Sequence, residues 1–248
     1  MIPARLGASR LPRKPLRLLG GAPLVLRVWE RVSALGVAER CVVATDSPEV
    51  ASAVGRAGAE CVLTSGDHAS GTDRVAEGAA ASAYREFETI VNVQGDEPFV
   101  TPDVLRGAVD LVTTGRFPLG TAAAAASPSV LGTPHVVKVV AADDGRAMYF
   151  SRAGIPYLRD AADAPLRDGC VLQHIGVYAY TREALARWVA LAPHPLERVE
   201  RLEQLRPLAA GIPMGVARVA EAPRAGIDTE ADLERANAEW ADFTAERE

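Results

Sequence analysis

The sequence predicts an α/β protein with a mainly parallel β-sheet flanked by helices. Short apolar runs of strand composition alternate with longer stretches whose apolar residues repeat at helical spacing. The runs end in Gly, Pro, Asp or Ser, which are typical of loops. Parallel strands need right-handed helical crossovers, and a chain of 248 residues can supply these while burying a core.

The first half of the chain contains the clearest alternation. Leu24 and Val28 lie on one face of a predicted helix over 23–35, and Gly36 follows as a suitable C-terminal cap. Ser47 precedes a proline and can cap the next helix. The predicted elements are a helix over 23–35, a strand over 41–44, a helix over 50–57, a strand over 60–63, a helix over 74–84, a strand over 90–93 and a helix over 102–113.

After residue 119 the pattern changes to neighbouring strands. The predicted elements are strands over 121–127, 136–142 and 171–180, helices over 181–191 and 196–209, a strand over 214–219 and a helix over 229–247. We predict one continuous domain, residues 1–248, with a β-rich insertion near 125–180. Only Met1 and Ile2 precede Pro3, so either the first strand is very short or the natural start lies upstream. We expect an upstream start, which the intact mass of the native protein would test.

The composition excludes several classes of protein. A net charge of -5 and a pI near 5.5 argue against a general nucleic-acid-binding surface. No apolar run approaches the roughly 20 residues of a membrane span, and the charged opening does not resemble a signal peptide. Cys41, Cys61 and Cys170 show no CxxC spacing, so we predict buried free thiols and a cytoplasmic protein.

The opening of the chain is basic. No acidic residue precedes Glu30, whereas the same stretch contains Arg5, Arg10, Arg13, Lys14, Arg17 and Arg27. Arginine and lysine side chains on such a loop can bind phosphate oxygens, although the glycines fit neither a Walker A loop nor a dinucleotide-binding motif. Lys14 and Lys138 are the only lysines among the 27 basic residues. In a chain that otherwise uses arginine, a lysine within a motif favours a specific role over an ordinary surface charge. We interpret the loop as a site for a small anion, with an ordinary solvated loop as the alternative.

Two aspartates are candidate metal ligands. Asp96 lies in a Gln-Gly-Asp-Glu-Pro break after the strand over 90–93, and ligands of open α/β sheets bind at the carboxyl ends of strands. Mg²⁺ prefers one or two carboxylates together with substrate oxygens, and Asp228 could be the second ligand. A turn role for Asp96 and a helix-capping role for Asp228 are the alternatives.

Three further stretches carry polar side chains. The loop over 67–74 could read a base edge or bind an anion, or it could only cap the following helix. His174 and Tyr178 share one face of the strand over 171–180 because strand side chains alternate, although a core histidine is a simpler interpretation. The charges over 200–206 are typical of a solvated helix face.

Together these stretches resemble the 3-deoxy-manno-octulosonate cytidylyltransferases, also called CMP-Kdo synthetases. The resemblance runs from Pro3 to the helix after Asp228. It rests on the motifs IPAR…SRLP-x-KP, VATD, DHxSGTDR, IVNVQGDEP, VKVV, YFSRAxIP, HIGVY and PLExxExLEQLR. Each motif is weak alone, but their conjunction at matching spacing is specific. Arg13 is a departure, because the family usually has glycine there.

The resemblance implies a nucleotide-diphospho-sugar-transferase type fold, usually a homodimer formed through the inserted sheet region. It implies a Mg²⁺-dependent reaction of CTP with 3-deoxy-D-manno-octulosonate (Kdo) that gives CMP-Kdo and pyrophosphate for lipopolysaccharide biosynthesis. The expected partners are these two substrates, with no nucleic acid and no membrane span. A related ulosonic or nonulosonic acid as substrate, and a non-catalytic nucleotide-binding protein, are the alternatives.

The resemblance also implies roles for individual residues. The CTP site would contain Arg5, Arg10, Lys14, Ser70 and Gly71. Mg²⁺ would be held by Asp96 and Asp228. The sugar-acid pocket would contain Arg74, Gln94, His174, Tyr178, Glu203 and Gln204. The catalytic residues would be Lys14, Asp96, Asp228 and Arg10, because both substrates are anionic and their repulsion must be offset at the reacting phosphorus.

Overall fold

The computed structural model describes residues 1–7 and 10–245. In this part of the chain the strands are β1 (Ile2–Ala4), β2 (Leu18–Leu19), β3 (Ala22–Pro23), β4 (Val42–Thr45), β5 (Glu60–Leu63), β6 (Thr89–Val93), β7 (Leu119–Ala125), β8 (Lys138–Ala141), β9 (Ala147–Ser151), β10 (Leu172–Thr181) and β11 (Met214–Val219). The α-helices are α1 (Leu24–Ala34), α2 (Pro48–Arg56), α3 (Gly71–Ala80), α4 (Pro102–Thr113), α5 (Ala164–Asp168), α6 (Arg182–Ala190), α7 (Pro195–Glu200), α8 (Leu205–Ala209) and α9 (Glu230–Ala245). The predicted α/β class is confirmed.

Chain packing divides the protein into two compact units. Unit 1 contains Met1–Glu86, Asn92–Thr101 and Pro223–Glu248, and unit 2 contains Phe87–Val91 and Pro102–Ala222. The units are built from interleaved stretches of chain, so the division does not coincide with the predicted insertion at 125–180. The single domain over 1–248 therefore stays a prediction.

The sheet of unit 1 is parallel, with the order β1-β4-β5. Ile2 lies opposite Val43, and Val43 lies opposite Cys61. All four residues of β4 are buried, as expected for a central strand covered on both faces. The first strand is thus present and very short.

The sheet of unit 2 is mixed and has the order β11-β7-β10-β8-β9, with β6 paired to β10. β11 runs parallel to β7, whereas β10 is antiparallel to β7 and β8, and β8 is antiparallel to β9. The predicted change to neighbouring strands after residue 119 is confirmed. The sheet extends beyond the predicted insertion, since β11 forms one of its edges.

Several local predictions differ from the structure. The helix predicted over 74–84 is α3, which begins at Gly71 and ends at Ala80, followed by a separate 3₁₀ turn, Ser82–Tyr84. The helix predicted over 196–209 is two helices, because Arg201 takes a left-handed conformation (φ 55°) after α7 and ends it. Strand β9 was not predicted, since its buried residues do not alternate regularly with exposed ones. The cysteines are free as predicted, but Cys170 is exposed and the other two are only partly buried.

The helices of residues 1–7 and 10–245 include none that is long and apolar enough to cross a bilayer.

Lys138 is the second of the two lysines, and its side chain is fully buried in unit 2. Its Nζ donates to three backbone carbonyl oxygens, those of Thr133 (3.0 Å), Val136 (2.6 Å) and Arg152 (2.6 Å). Burial lowers the pKa of Lys138, the nearby Arg152 charge adds to this, and Glu200 opposes it. The lysine therefore connects β8, the loop before it and the end of β9.

We expect Lys138→Met to lower the free energy of unfolding by about 2–4 kcal/mol, because it leaves three carbonyl oxygens without the ammonium that donates to them. Denaturant unfolding would measure the change. Arg159→Met at an exposed position of the same unit is the control, and it should change stability by less than about 0.5 kcal/mol. A Lys138→Met protein as stable as the control would contradict this account.

Candidate active site

The basic loop of unit 1 ends in a short 3₁₀ turn, Lys14–Leu16, that is held against the core by buried Leu11 and Pro15. Arg13 precedes this turn in the left-handed region (φ 57°). Glycine adopts that conformation without a Cβ penalty, which accounts for the usual glycine there. Arg13 keeps the conformation and pairs with Glu49. Lys14 is consequently directed inwards, and only 14% of its side chain is exposed.

Asp96 is placed by a tight turn at the end of β6. The Glu97 amide donates to the Gln94 carbonyl (3.1 Å), which closes the turn. A Cβ on Gly95 would lie 2.7 Å from the Pro3 carbonyl oxygen, so only glycine allows this close approach to the end of β1. The Asp96 carboxylate is thereby brought beside the basic loop.

Asp228 does not cap α9, so the helix-capping alternative to a role as metal ligand is wrong. Thr229 is the cap, since its hydroxyl accepts from the Asp232 amide (3.2 Å). The Asp232 carboxylate accepts in return from the Asp228 and Thr229 amides (3.2 and 2.9 Å). This reciprocal arrangement is a capping box, and it leaves the Asp228 carboxylate available for the site.

Lys14 brings the two aspartates together. Its Nζ donates to Asp96 Oδ2 (2.5 Å) and to Asp228 Oδ1 (2.8 Å). Arg10 adds a longer ion pair to Asp228 Oδ2 (3.1 Å). The Ile227 amide also donates to the Asp96 carbonyl (2.9 Å), which joins the two acidic segments through their backbones. Residues 10, 14, 96 and 228, predicted from distant parts of the sequence, therefore form one cluster.

The charges of this cluster change the pKa values of its members. Burial opposes the charged form of Lys14, but the charges of Asp96 and Asp228 and their hydrogen bonds outweigh it and raise the pKa. Burial raises the pKa of Glu97 to about 8, and repulsion from both aspartates adds to this while Lys14 opposes it. The sequence assigned no role to Glu97. Its carboxylate packs against Gly226, where an added Cβ would lie 2.7 Å from Glu97 Oε1.

The two aspartates fit a hard divalent cation. Their carboxylate oxygens converge on a single positive charge, the Lys14 ammonium, and oxygen ligands of this kind suit Mg²⁺. Among residues 1–7 and 10–245, no group of three or more His, Cys, Asp or Glu side chains is arranged to hold a metal. A cation held here would therefore complete its shell with water or substrate oxygens.

The remaining predicted residues of unit 1 lie around the start of α3 and the end of β1. Ser70 caps α3, with its hydroxyl accepting from the Asp73 amide (3.2 Å). A Cβ on Gly71 would be 3.5 Å from Gln94 Oε1, so the Gln94 amide lies beside this helix start. Arg74 is buried, and its NH1 donates to Thr64 Oγ1 (2.5 Å). Arg5 is exposed directly after β1.

His174 and Tyr178 lie together on β10 in unit 2. Residues four apart on a regular strand are separated by about 13 Å, yet these ring centroids are 5.5 Å apart. The cause is a bulge: His174 lies opposite Ala123 and Tyr178 opposite Thr121, so two extra residues are accommodated on β10. Because the bulge inserts two residues, the predicted shared face is preserved.

Thr121 stabilises this bulge, and sequence reasoning missed it. Its hydroxyl donates to the Val177 carbonyl (2.7 Å) and lies 3.0 Å from His174 Nε2. The Thr121 hydroxyl has one proton, and it donates this proton to Val177. The hydroxyl must therefore accept a hydrogen bond from His174 Nε2, so the neutral imidazole carries its proton on Nε2. No pattern within the Ala-rich strand marks Thr121, although it is the one hydroxyl residue of β7.

Glu203 and Gln204 lie between α7 and α8 of unit 2. Gln204 is 3% exposed, and the Glu203 charge, after burial and Tyr180, contributes to raising the pKa of Tyr178 well above its usual value. Gln204 is thus buried, whereas the charges over 200–206 predicted a solvent-exposed helix face.

We expect His174→Gln to reduce the acid sensitivity of the fold. Burial lowers the pKa of His174 to about 3. Below the usual histidine pKa the unfolded chain therefore binds more protons than the folded protein, and stability falls as pH decreases. Between about pH 7 and about pH 5 the wild type should lose about 2 kcal/mol more than the variant, in which the Gln amide can still donate to Thr121.

Denaturant unfolding of both proteins at the two pH values would measure this difference. An equal pH dependence in wild type and variant would contradict the buried neutral state of His174.

The parallel α/β sheet, the basic loop and the paired aspartates are those of a nucleotidyltransferase. The family described as "Cytidylyltransferase" matches residues 1–214. A 3-deoxy-manno-octulosonate cytidylyltransferase of Gemmatimonas aurantiaca is 62% identical over 240 residues, which cover 97% of this chain and 93% of that protein. One from Polynucleobacter asymbioticus is 46% identical over 237 residues, covering 95% and 92%.

A solved structure of CMP:2-keto-3-deoxy-manno-octonic acid synthetase complexed with CTP has a TM-score of 0.89 and 38% identity, and 97% of each chain is covered. The chain belongs to the 3-deoxy-manno-octulosonate cytidylyltransferase family, and it is therefore an enzyme that transfers a nucleotidyl group.

Proposed function

We propose that this enzyme transfers CMP from CTP to Kdo, in a Mg²⁺-dependent reaction that releases pyrophosphate. The observation that carries the proposal is the convergence of Asp96 and Asp228 on Lys14 in a chain of this family. The CTP in the related synthetase structure supports the choice of nucleotide, and the names of the relatives support the choice of sugar acid.

Asp96 and Asp228 would hold the Mg²⁺, whose charge would stabilise the phosphate oxygens and the departing pyrophosphate. Lys14 and Arg10 would offset the repulsion between the anionic nucleotide and the anionic sugar acid. The anomeric hydroxyl of Kdo attacks the α-phosphorus in line with the bond to the leaving pyrophosphate. No covalent enzyme intermediate is needed, so orientation of the substrates accounts for much of the acceleration.

The other predicted residues complete the proposal. Arg5, Ser70 and Gly71 would contact CTP. Arg74, Gln94, His174, Tyr178, Glu203 and Gln204 would contact the sugar acid. Neutral His174 and high-pKa Tyr178 would act as hydrogen-bonding groups rather than as charges over the physiological range.

We further propose a cytoplasmic homodimer that supplies CMP-Kdo for lipopolysaccharide biosynthesis. Exposed apolar side chains of unit 2 support a contact between two copies: Met148, Tyr157, Leu166 and Val199 are 61%, 86%, 73% and 81% exposed. Methionine and aromatic side chains are enriched at protein–protein interfaces. Light scattering coupled to gel filtration would test the mass, and a monomer at assay concentration would contradict the dimer.

A pyrophosphate-release panel tests the activity. Purified enzyme is incubated with CTP or UTP, with Kdo, amino-Kdo, a sialic acid or no sugar acid, and with Mg²⁺ or a chelator. We expect release that requires CTP, Kdo and Mg²⁺ together. Faster pyrophosphate release with another sugar acid would show that this acid, and not Kdo, is the preferred substrate. CTP binding without turnover of any sugar acid would contradict the proposed enzymatic activity.

A further inference from the structure

The site depends on the position of α9 relative to the basic loop. Lys14 and Asp228 are 214 residues apart in sequence, and their hydrogen bond joins the basic loop to the segment just before α9. The basic loop runs on into the small hairpin formed by β2 and β3. Any contact between α9 and this hairpin therefore influences where Asp228 lies relative to Lys14 and Asp96.

Asn237 of α9 makes such a contact with both ends of its amide. Its Oδ1 accepts from the Gly20 amide (2.9 Å), and its Nδ2 donates to the Leu18 carbonyl (3.1 Å). The same Nδ2 donates to the Leu233 carbonyl in the preceding turn of α9 (3.0 Å), which orients the side chain. Asn237 thus connects the backbone of the hairpin to the backbone of the helix.

Trp240, one turn further along α9, packs on the same hairpin. A side chain at Gly20 would overlap the Trp240 ring, and Gly20 has a left-handed backbone (φ 52°). Arg27 lies over the Trp240 ring, 5.1 Å from its centroid, and its Nε donates to the Leu19 carbonyl (3.0 Å). The hairpin is therefore held between α1 and α9.

A third contact lies at the start of α9. Arg17, at the end of the basic loop, donates from NH1 to Glu230 Oε2 (2.9 Å) and from NH2 to the other carboxylate oxygen. Paired donors of this kind restrict geometry more than a single ion pair does. Glu230 is separated from Asp228 only by the capping residue Thr229.

We propose that Asn237 is a positioning residue for Asp96 and Asp228, the two aspartates that would bind the metal. Together with Glu230 and Trp240 it forms a latch, defined by these three side chains, that fixes the axial position of α9 on the hairpin. Asn237 lies about 10 Å along the helix from Glu230, and a helix transmits such a restraint rigidly to its first turn. The latch would keep Asp228 opposite Asp96, where an error of about 1 Å is costly. This inference rests on the proposed Mg²⁺-dependent function.

Asn237→Ala tests the latch without threatening the fold, because the side chain is exposed and alanine favours helix. Binding of Mn²⁺ in the presence of CTP, without sugar acid, is followed by the electron paramagnetic resonance signal of free Mn²⁺. We expect the Kd for Mn²⁺ to rise about 3- to 10-fold, because Asp228 is held less well in place. The rate of pyrophosphate release at limiting Mg²⁺ should fall by a similar factor and recover at saturating Mg²⁺.

Thr244→Ala is the matched control on the same helix. Its hydroxyl donates to Trp240 and Ala241 carbonyls of α9 itself, and threonine and asparagine have similar helix propensities. The control should keep the wild-type Mn²⁺ Kd within about twofold, even if its melting temperature falls as much as that of Asn237→Ala.

Two negative outcomes are distinguishable. If wild type binds Mn²⁺ with CTP and Asn237→Ala binds it equally well, the latch is wrong and the proposed function stands. If wild type binds no Mn²⁺ with CTP, the metal site of the proposed function is wrong and the latch falls with it.

Discussion

Asp96→Asn should lower the rate of CMP-Kdo formation by about a thousandfold or more, which corresponds to about 4 kcal/mol of transition-state stabilisation. Asparagine keeps the shape of the side chain but removes one of the two negative charges that would hold Mg²⁺. Pyrophosphate release at saturating CTP and Kdo would measure the loss.

The same substitution should leave the protein folded. Lys14 keeps Asp228 as a partner, and the charge of Asp96 that helps to raise the pKa of Glu97 is removed. The pKa of Glu97 should therefore move towards its ordinary value, while the melting temperature changes by only a few degrees. This combination separates a metal-binding role from a structural one.

Asp103→Asn is the matched control, because Asp103 is an exposed aspartate in the first turn of α4. Its activity should stay within about twofold of wild type. Retention of more than about a tenth of the wild-type rate by Asp96→Asn would contradict an essential metal ligand.

Lys14→Met should also abolish most activity, by about a hundredfold or more, and should destabilise the fold by about 1–3 kcal/mol. The variant leaves Asp96 and Asp228 close together without the ammonium between them. The destabilisation is smaller than that for a fully buried ion pair, because 46% of the Asp228 side chain is exposed.

The pH dependence of this stabilisation follows from the raised pKa of Lys14. The contribution is present in full below the unfolded pKa of 10.5 and is lost only as pH rises through the higher folded value. At neutral pH, therefore, the wild type has the full stabilisation from the charged Lys14, and the variant has none.

Mg²⁺ gives the sharper measurement. Without the lysine, the two carboxylates lose the ammonium between them, and the exposed Arg10 remains paired with Asp228 alone. Millimolar Mg²⁺ should then raise the melting temperature of Lys14→Met more than that of wild type, both without nucleotide, because binding to the folded state alone stabilises it.

Arg40→Met removes a cation from an exposed ion pair with Glu60 of unit 1 and serves as the control. Its response to Mg²⁺ should equal that of wild type. If Lys14→Met shows no larger response than this control, the two aspartates do not form a metal site.

Sequence patterns predicted most elements of unit 1 correctly. β4, β5, α1 and α2 lie within a residue or two of their predicted limits, because apolar periodicity and capping residues are local signals. The helix predicted over 196–209 was wrong, because the left-handed Arg201 that divides it has no side-chain signature of that conformation. Such a break is decided by the packing around it.

The chemical types of the candidate site residues were also predictable from the sequence. A basic loop, an acidic turn after a strand and an aspartate before a helix are visible in the sequence, but each had an ordinary alternative. For Asp228 the alternative was a helix cap, and the hydrogen bonds at the start of α9 decided between the two roles. Thr229 and Asp232 form the cap, so the Asp228 carboxylate is left to Lys14 and Arg10.

The amino-acid sequence alone establishes the α/β class, the family and the chemical types of the site residues, because these depend on local periodicity and on motifs at fixed spacing. Only the tertiary structure shows that Lys14 donates to both aspartates and that a two-residue bulge brings His174 against Tyr178. It also shows that Asn237 holds α9 to the hairpin. These contacts join residues far apart in the chain or depend on a break in regular strand geometry, and no local pattern encodes either.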